Sequence, residues 1–329
     1  MENKFNYNWT LEKANFTKDK GKVFSCFACG GGSTMGYKLA GFDVIGHNDI
    51  DKKMIEVYKE NHNPKYSFLE SITTFAKRKD LPKELYELDI LDGSPPCSSF
   101  SIAGNREKDW GKEKVFREGQ ELQVLDTLFF DFIDLAKELK PKVVIAENVK
   151  GLLMGEAKQY VRKIYDEFDK AGYYCQHFLL NASKMGVPQR RERVFFICLR
   201  KDLAKQFLYY SDMFTETPKI EMYFNEKEIP IKLFVEFEPK GSKQNYCENR
   251  FGDIILDLNK SANTITSGIR FWKDENLILT KKSYNLIGSF PLDYKFNTDN
   301  VYIIGMSVPP IMTAQIATKI YNQWLSKIK

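Results

Sequence analysis

The chain has 329 residues, of which 43% are hydrophobic and 28% are charged. This composition is typical of a globular protein and excludes an intrinsically disordered chain. The formal net charge of +5 excludes a strongly basic, non-specific nucleic-acid binder, so any nucleic-acid binding must depend on a few well placed side chains. The sequence contains neither the roughly 20 consecutive apolar residues of a membrane helix nor the apolar core of a secretory signal, so we expect a cytoplasmic protein with no membrane partner.

The six cysteines indicate neither disulfides nor a metal centre. A cytoplasmic chain of this size seldom carries disulfides. Cys26 and Cys29 form a single CxxC pair, whereas a structural zinc site needs four ligands. We therefore expect no bound metal.

Strands and helices are predicted to alternate up to about residue 200. Strands are predicted at 22–27, up to Asp49, up to the prolines 95–96, at 143–149, at 173–180 and just before 200. Helices are predicted at 52–61, 120–139 and 156–171, and a mobile loop at 105–119. This alternation favours an α/β fold with a mostly parallel sheet covered by helices on both faces. Segments after 200 are short and irregular until a last helix near the C-terminus.

Four motifs carry possible chemistry, and the first is FACGGGSTMG at 27–36. Glycines between a strand and a helix let the backbone approach a ligand closely, and Asp49 at the next strand end could accept both hydroxyls of a ribose. The pattern fits neither GxGxxG nor a phosphate-binding loop, so a nucleoside cofactor without a pyrophosphate fits better. A turn packed for steric reasons is the alternative.

The second motif is SPPCSSF at 94–100, in which two prolines present Cys97 at the carboxyl end of a strand. A cysteine fixed there is a candidate nucleophile if a nearby cation favours its thiolate, and a buried structural cysteine is the alternative.

The third motif, ENV at 147–149, puts Glu147 at another strand end, where it could hold a proton in a partly dry pocket or pair with a neighbouring helix. The fourth is QRRERVFFI at 189–197, in which Arg191 and Arg193 point to one side of an extended segment. They could supply the cation that Cys97 and Glu147 need, or they could be solvated.

Together and in this order, the four motifs resemble those of the DNA cytosine carbon-5 methyltransferase family. LTKKSYNLIGSFPLDY at 279–294 and GMSVPP at 305–310 resemble two further family motifs. The resemblance covers about 22–199 and 277–325. It implies a Rossmann-like S-adenosylmethionine methyltransferase sheet, and a bacterial or phage modification enzyme that works in the cytoplasm on the nucleoid.

The resemblance implies that Cys97 attacks carbon 6 of a flipped-out cytosine, so that carbon 5 can take the methyl group. Glu147 would hold a proton at ring nitrogen 3, and Arg193 would bond to the carbonyl oxygen of the base and orient Glu147. Arg191 would support the pocket, and Asn148 would position the backbone of Pro96 and Cys97. The loop 98–119 would close over the base.

The family pattern also implies a set of residues that bind S-adenosylmethionine and its product S-adenosylhomocysteine: Phe27, Ala28, Gly30, Gly31, Gly32, Asp49, Ile50, Ser71, Ile72 and Ser307. The sequence departs from that pattern at six positions. Ser25 stands where the family usually has Asp, and Cys29 where it has Gly. The other four departures are Ser71, Ser98, Ser283 and Met306.

The domain division that follows is a catalytic, cofactor-binding domain at 1–199 and 277–329, and a small irregular target-recognition domain at 200–276. Its charge is nearly balanced, so individual side chains would read the major groove. Candidate DNA contacts are Ser99, Thr264, Thr266 and Arg270. Double-stranded DNA is the expected partner of a monomeric enzyme, and a cognate restriction endonuclease could act separately.

Three other functions remain open from the sequence. An exocyclic amino-methyltransferase would use a related PP motif but leaves ENV and QRRER unexplained. A tRNA methyltransferase of the same family would share the pocket, although a Cys-Phe-Thr element typical of that branch is absent. A catalytically silent DNA-recognition subunit would bind the cofactor without forming an adduct.

Overall fold

A computed structural model describes residues 5–96, 113–114, 123–124, 127–155, 157–210, 216–241, 252–297 and 299–328. The predicted nucleophile Cys97, the candidate DNA contact Ser99 and nearly all of the predicted closing loop lie outside the described residues.

Fifteen strands are assigned within the described ranges. In chain order they are β1 (Lys22–Cys26), β2 (Asp43–Asp49), β3 (Tyr66–Leu69), β4 (Ile90–Gly93), β5 (Glu113–Lys114), β6 (Gln123–Val124), β7 (Val143–Val149), β8 (Tyr173–Asn181), β9 (Glu192–Arg200), β10 (Leu208–Tyr210), β11 (Glu216–Pro218), β12 (Phe237–Pro239), β13 (Asp253–Ile255), β14 (Arg270–Asp274) and β15 (Leu277–Leu279).

Eight α-helices are assigned in the same ranges. They are α1 (Gly32–Leu39), α2 (Lys52–His62), α3 (Ile72–Phe75), α4 (Leu128–Leu139), α5 (Ala157–Lys170), α6 (Lys281–Ile287), α7 (Asn300–Met306) and α8 (Pro310–Gln323). The sequence predicted α2 and α5 to within a residue or two, whereas α6 and α7 are too short for a clear apolar periodicity and were not predicted.

The main sheet has seven strands in the order β3-β2-β1-β4-β7-β9-β8. The neighbours from β3 to β7 pair in parallel, and β9 pairs antiparallel with both β7 and β8. The predicted mostly parallel sheet is confirmed, with one antiparallel strand that connectivity alone did not predict. The strand β9 carries Arg193, so its reversed direction brings the start of β9 to the carboxyl end of β7.

Buried side chains alternate between the two faces of this sheet. In β1 and β4, Phe24 and Leu91 face one apolar core with α4 and α5, whereas Val23 and Ile90 face another core with α8. Because every second residue of a strand points to the same face, this pattern covers the sheet on both sides, as the sequence predicted.

A second, four-stranded sheet has the order β12-β15-β14-β13. Its buried residues share a third core with α6 and α7, including Phe271, Ile287 and Ile303. The earlier part of the irregular region instead packs on the main sheet, because Ala204, Ile220 and Met222 belong to the core of α8. The boundaries of the target-recognition domain at 200 and 276 therefore remain a prediction from the sequence.

One helical stretch in the described ranges, Asn300–Lys327, is long and apolar enough to cross a membrane by length and composition. However, 83% of its apolar window is buried inside the fold, where α8 packs against α1 and the main sheet. Its apolar character is therefore explained by core packing.

Candidate active site

Four parallel strands deliver the predicted motifs to one edge of the main sheet. The carboxyl ends of β2, β1, β4 and β7 are neighbours in that order. The strand β2 ends at Asp49, and β7 ends with the ENV motif. The strand β1 is followed by the glycine-rich loop, and β4 is followed by the two prolines. Ligand sites of open α/β sheets form at this edge, so the sequence motifs converge as expected.

Glu147 and Arg193 form an ion pair at the end of β7. Arg193 Nε lies 3.0 Å from Glu147 Oε1, and the two side chains are only 15% and 12% exposed. Arg193 also donates from Nη1 to the carbonyl of Glu192 at 2.8 Å. Burial lowers the pKa of Arg193, and the neighbouring Glu147 carboxylate opposes that shift. The carboxylate is thus held in one orientation beside a fixed cation.

Asn148 connects the ENV motif to the strand end that leads to Cys97. Its Nδ2 donates to the carbonyl of Pro95 at 3.3 Å, and its Oδ1 accepts from the Val149 amide at 2.8 Å. The contact is one residue earlier than the predicted Pro96–Cys97 backbone. Pro96 is the last described residue before the nucleophile position, so the role of Cys97 stays a prediction.

Arg191 is buried in the protein and holds two distant segments together. Its Nη1 donates to the carbonyl of Ile265 and its Nη2 to that of Gly305, both at 2.9 Å. Burial lowers the pKa of this guanidinium well below its usual range. Arg191 therefore links the start of β9 to the end of the irregular region and to α7.

The glycine-rich loop turns sharply between β1 and α1. Phe27, Cys29 and Gly31 have positive φ angles of 52°, 47° and 85°. Asp49 braces this turn, since its Oδ2 accepts from the Cys29 amide at 2.7 Å and its Oδ1 from the Asp51 amide at 2.9 Å. Burial raises the pKa of Asp49 to about 6, although these backbone donors oppose the shift.

The glycines of the loop are required by packing against the C-terminal helices. A side chain at Gly30 would overlap Ile303, and one at Gly32 would overlap Ser307. At Gly31 the left-handed backbone already favours glycine, and His62 fills the space where a side chain would be. The steric alternative therefore explains these glycines, and ligand approach is not needed to account for them.

Two groups beside this loop fit a nucleoside cofactor. Ser307 is buried, and its hydroxyl has no hydrogen-bond partner among the described residues. A buried polar group without a partner is costly, so a ligand that bonds to it would remove that cost. Asp49 adds a carboxylate at the sheet edge. The residues present thus fit the cofactor that the motifs predict.

The residues predicted around the adenine differ in exposure. Ile50 is half-buried after β2, whereas Ile72 is only 2% exposed and packs in the main core. Ser71 caps α3, because its hydroxyl accepts from the Thr74 amide at 3.2 Å. Among the predicted cofactor residues, Phe27 is half-buried and Ala28 is buried. Their contacts with a cofactor stay predictions.

The candidate DNA contacts also differ in availability. Thr264 donates its hydroxyl to the Arg190 carbonyl at 2.6 Å, whereas Thr266 is exposed. Arg270 donates from Nε and Nη2 to the two carboxylate oxygens of Asp253, both at 2.7 Å. The geometry therefore leaves Thr266 as the most accessible of the three.

Sequence reasoning missed Asp92 in β4. This buried carboxylate accepts from Ser25 Oγ at 2.7 Å and from the Tyr37 hydroxyl at 2.9 Å. The available signal was an acidic residue inside an otherwise apolar strand, two residues before the SPP motif. A second missed residue is Gln189, whose Oε1 accepts from the Ile265 amide at 3.0 Å beside Arg191.

Comparison with known proteins gives the family to which the chain belongs. Residues 21–264 match the family model described as C-5 cytosine-specific DNA methylase. Type II methyltransferase M.FnuDI of Fusobacterium nucleatum is 38% identical over 183 residues, which are 55% of this chain and 48% of that protein. M.NgoPII of Neisseria gonorrhoeae is 36% identical over 57% of this chain and 50% of its own length.

The chain thus spans about half the length of the curated relatives that it matches. A solved structure of a prophage-encoded E. coli protein has a TM-score of 0.64 at 21% identity and covers 92% of this chain and 99% of its own. That likeness supports the predicted fold, a methyltransferase-type α/β sheet with an added small region. The family match covers most of the chain, including the loop, the prolines, ENV and QRRER, and the chain belongs to the C-5 cytosine-specific DNA methylase family.

Proposed function

We propose that the protein transfers a methyl group from S-adenosylmethionine to carbon 5 of a cytosine that is flipped out of duplex DNA. The ion pair between Glu147 and Arg193 carries this proposal. A flipped cytosine needs a group that holds a proton at ring nitrogen 3 and a donor for its carbonyl oxygen, and these two side chains can supply both. Membership of the family supports the same reaction class.

In the proposed reaction, the thiolate of Cys97 forms a bond to carbon 6, and the ring electron pair moves to carbon 5. Carbon 5 takes the methyl group, after which its proton leaves and the C–S bond breaks to restore the aromatic ring. Glu147 holds the proton at nitrogen 3 and accepts from the exocyclic amine, while Arg193 donates to the carbonyl oxygen. Asn148 supports the strand end that presents the thiol.

The cofactor would bind along the glycine-rich loop at the carboxyl edge of the sheet. When bound, S-adenosylmethionine supplies a methyl group on a sulfonium and leaves as S-adenosylhomocysteine. Asp49 would accept the ribose hydroxyls, and the unpartnered hydroxyl of Ser307 would donate to the ligand. Ile50, Ser71 and Ile72 would surround the adenine, and no metal is part of the proposal.

The DNA would be read by the region between about 200 and 276. Ala204, Ile220 and Met222 pack on the main sheet, so the earlier part of this region contributes to the core of the fold. The four-stranded sheet β12-β15-β14-β13 is therefore the part that we expect to approach DNA. Thr266 is the candidate contact with a free surface position. The names of the relatives support a modification enzyme, and we further propose a cytoplasmic monomer, with any cognate endonuclease acting as a separate protein.

Trapping on 5-fluorocytosine tests the proposed function. In 5-fluorocytosine a fluorine replaces the C5 proton and cannot leave as a cation, so the C–S bond cannot break by elimination and the enzyme and DNA should stay covalently joined in the presence of S-adenosylmethionine. Duplexes of random sequence that carry 5-fluorocytosine should give a gel-shifted adduct with the wild-type protein and none with Cys97→Ser. Absence of any adduct on such a library would refute the enzyme and support a silent DNA-recognition subunit.

Two further arms separate the remaining alternatives. Adduct formation on tRNA but not on duplex DNA would favour the tRNA methyltransferase. Methyl transfer that survives in Cys97→Ser would favour the exocyclic amino-methyltransferase, which needs no thiol nucleophile. Bisulfite sequencing of DNA from expressing cells would then give the target sequence.

A further inference from the structure

Asp92 and Ser25 face each other across two central strands. The strands β1 and β4 pair in parallel, and Ser25 and Asp92 are direct partners in that register. Ser25 is 0% exposed and Asp92 4% exposed, and Ser25 Oγ donates to Asp92 Oδ2 at 2.7 Å. If residue 25 were Asp instead of Ser, its carboxylate would therefore lie close to the position that the Asp92 carboxylate occupies.

The hydrogen bonds of Asp92 extend to the helix that follows the glycine-rich loop. Tyr37 in α1 donates its hydroxyl to Asp92 Oδ1 at 2.9 Å, so hydrogen bonds tie the carboxylate to both β1 and α1. Burial raises the pKa of Asp92 to about 6, whereas these hydroxyl donors lower it. Burying a carboxylate is costly, so such a group is expected where it fixes the position of its neighbours.

Asp92 also belongs to the strand that leads to the nucleophile position. It lies three residues before Pro95, whose carbonyl is held by Asn148, and five residues before Cys97. One side chain on β4 is thus joined to the strand before the glycine-rich loop and to the helix after it. Movement of any one of these segments would disturb the distance between the glycine-rich loop and the carboxyl end of β4.

We propose that Asp92 supplies from β4 the buried carboxylate that the family pattern places on β1 at residue 25, and that it is a positioning residue. It holds α1 against β4, and so fixes the glycine-rich loop, which joins β1 to α1, relative to the carboxyl end of β4. This inference rests on the proposed function, since binding of the cofactor is its main readout.

Exchange of the two residues tests the proposal. The variants are Asp92→Ser, Ser25→Asp and the double variant with both changes, which moves the carboxylate back to β1. Calorimetric titration with S-adenosylhomocysteine in the absence of DNA gives the affinity, and thermal unfolding gives the stability of each. Tyr173→Phe is the matched control, because Tyr173 is buried and donates to the Pro141 carbonyl at 2.9 Å on another part of the fold.

We expect Asp92→Ser to bind S-adenosylhomocysteine about tenfold more weakly than the wild type, since the hydroxyls of Ser25 and Tyr37 lose their acceptor. The double variant should recover to within about threefold of the wild-type affinity, and Tyr173→Phe should lose stability without losing affinity. Ser25→Asp alone should be worse than the double variant, because two buried carboxylates would repel each other.

Two results would overturn the proposal: wild-type affinity in a folded Asp92→Ser, whatever its stability, or a double variant no better than Asp92→Ser. If Asp92→Ser does not fold, a folded double variant with near-wild-type affinity supports the exchange, and an unfolded one refutes it. If the wild-type protein binds no S-adenosylhomocysteine, the cofactor assignment fails. The exchange is then judged by whether the double variant regains the unfolding temperature that Asp92→Ser loses.

Discussion

Replacing Glu147 with glutamine tests the proton-holding role of the ion pair at the end of β7. Glutamine keeps the shape and one oxygen acceptor for Arg193, but it cannot hold a proton at ring nitrogen 3. General acid–base groups contribute about 10²–10⁴ in rate, so we expect single-turnover methyl transfer to fall by about 10³.

Glu147→Gln should also lower the free energy of unfolding, by an amount that depends on how deeply the ion pair is buried. The side chains are 12% and 15% exposed, so Arg193 would lose its charge partner in a largely dry position. Breaking a fully buried pair costs about 3–5 kcal/mol, and the remaining exposure together with the retained amide oxygen reduces our expectation to about 2 kcal/mol. Urea unfolding followed by circular dichroism measures this free energy.

A matched control is available on the same edge. Glu192 pairs with Lys150 at 2.9 Å, but both side chains are 42% exposed. Glu192→Gln should therefore change the free energy of unfolding by less than about 0.5 kcal/mol and leave the rate unchanged. A Glu147→Gln variant whose single-turnover rate stays within about threefold of the wild type would refute the proton-holding role, since that factor is under 1 kcal/mol.

Three further predictions concern the cofactor, a helix end and the DNA contacts. The carboxylate of Asp49 must be ionised to accept two ribose hydroxyls, and burial raises its pKa to about 6. The affinity for S-adenosylhomocysteine should therefore be greatest above pH 6 and should fall as the pH drops below that value. Asp49→Asn should bind weakly with a flatter pH profile in calorimetry, and an unchanged profile would contradict the role. Lys140 ends α4 with a φ of 52°, so Lys140→Gly should stabilise the protein by about 1 kcal/mol in urea unfolding, whereas Lys137→Gly inside the helix should destabilise it by about as much. Thr266→Val should weaken DNA binding by about threefold in fluorescence anisotropy, whereas Thr264→Val should mainly lower stability, because its hydroxyl bonds to the Arg190 carbonyl.

The sequence was sufficient to predict the edge of the sheet at which the motifs meet. Asp49 is the last residue of β2, Glu147 follows the apolar start of β7, and parallel strands place their carboxyl ends together. The pairing of Glu147 with Arg193 was also predicted, although from the family resemblance. The antiparallel direction of β9 that makes the contact possible was not, since strand direction depends on the whole topology.

Other contacts of the site depend on the register between strands or on segments far apart in the sequence. Local sequence patterns carry no information about either. The bond between Ser25 and Asp92 joins residues 67 positions apart through the pairing of β1 with β4. Arg191 was expected to support the pocket, but its two acceptors, Ile265 and Gly305, lie 74 and 114 positions away. A motif predicts that such a residue matters, whereas the partner becomes known only from the three-dimensional structure.

The packing of the glycine-rich loop has a consequence for synthesis of the protein. The loop follows β1, near the start of the chain, yet Gly30 packs on Ile303 and accepts a hydrogen bond from the Tyr294 hydroxyl, and Gly36 packs on Thr313. The earliest of these partners, Tyr294, is synthesised 264 residues after Gly30. The glycine-rich loop should therefore take its packed conformation only after these partners have emerged, so we expect no binding of S-adenosylhomocysteine to a nascent chain that lacks them.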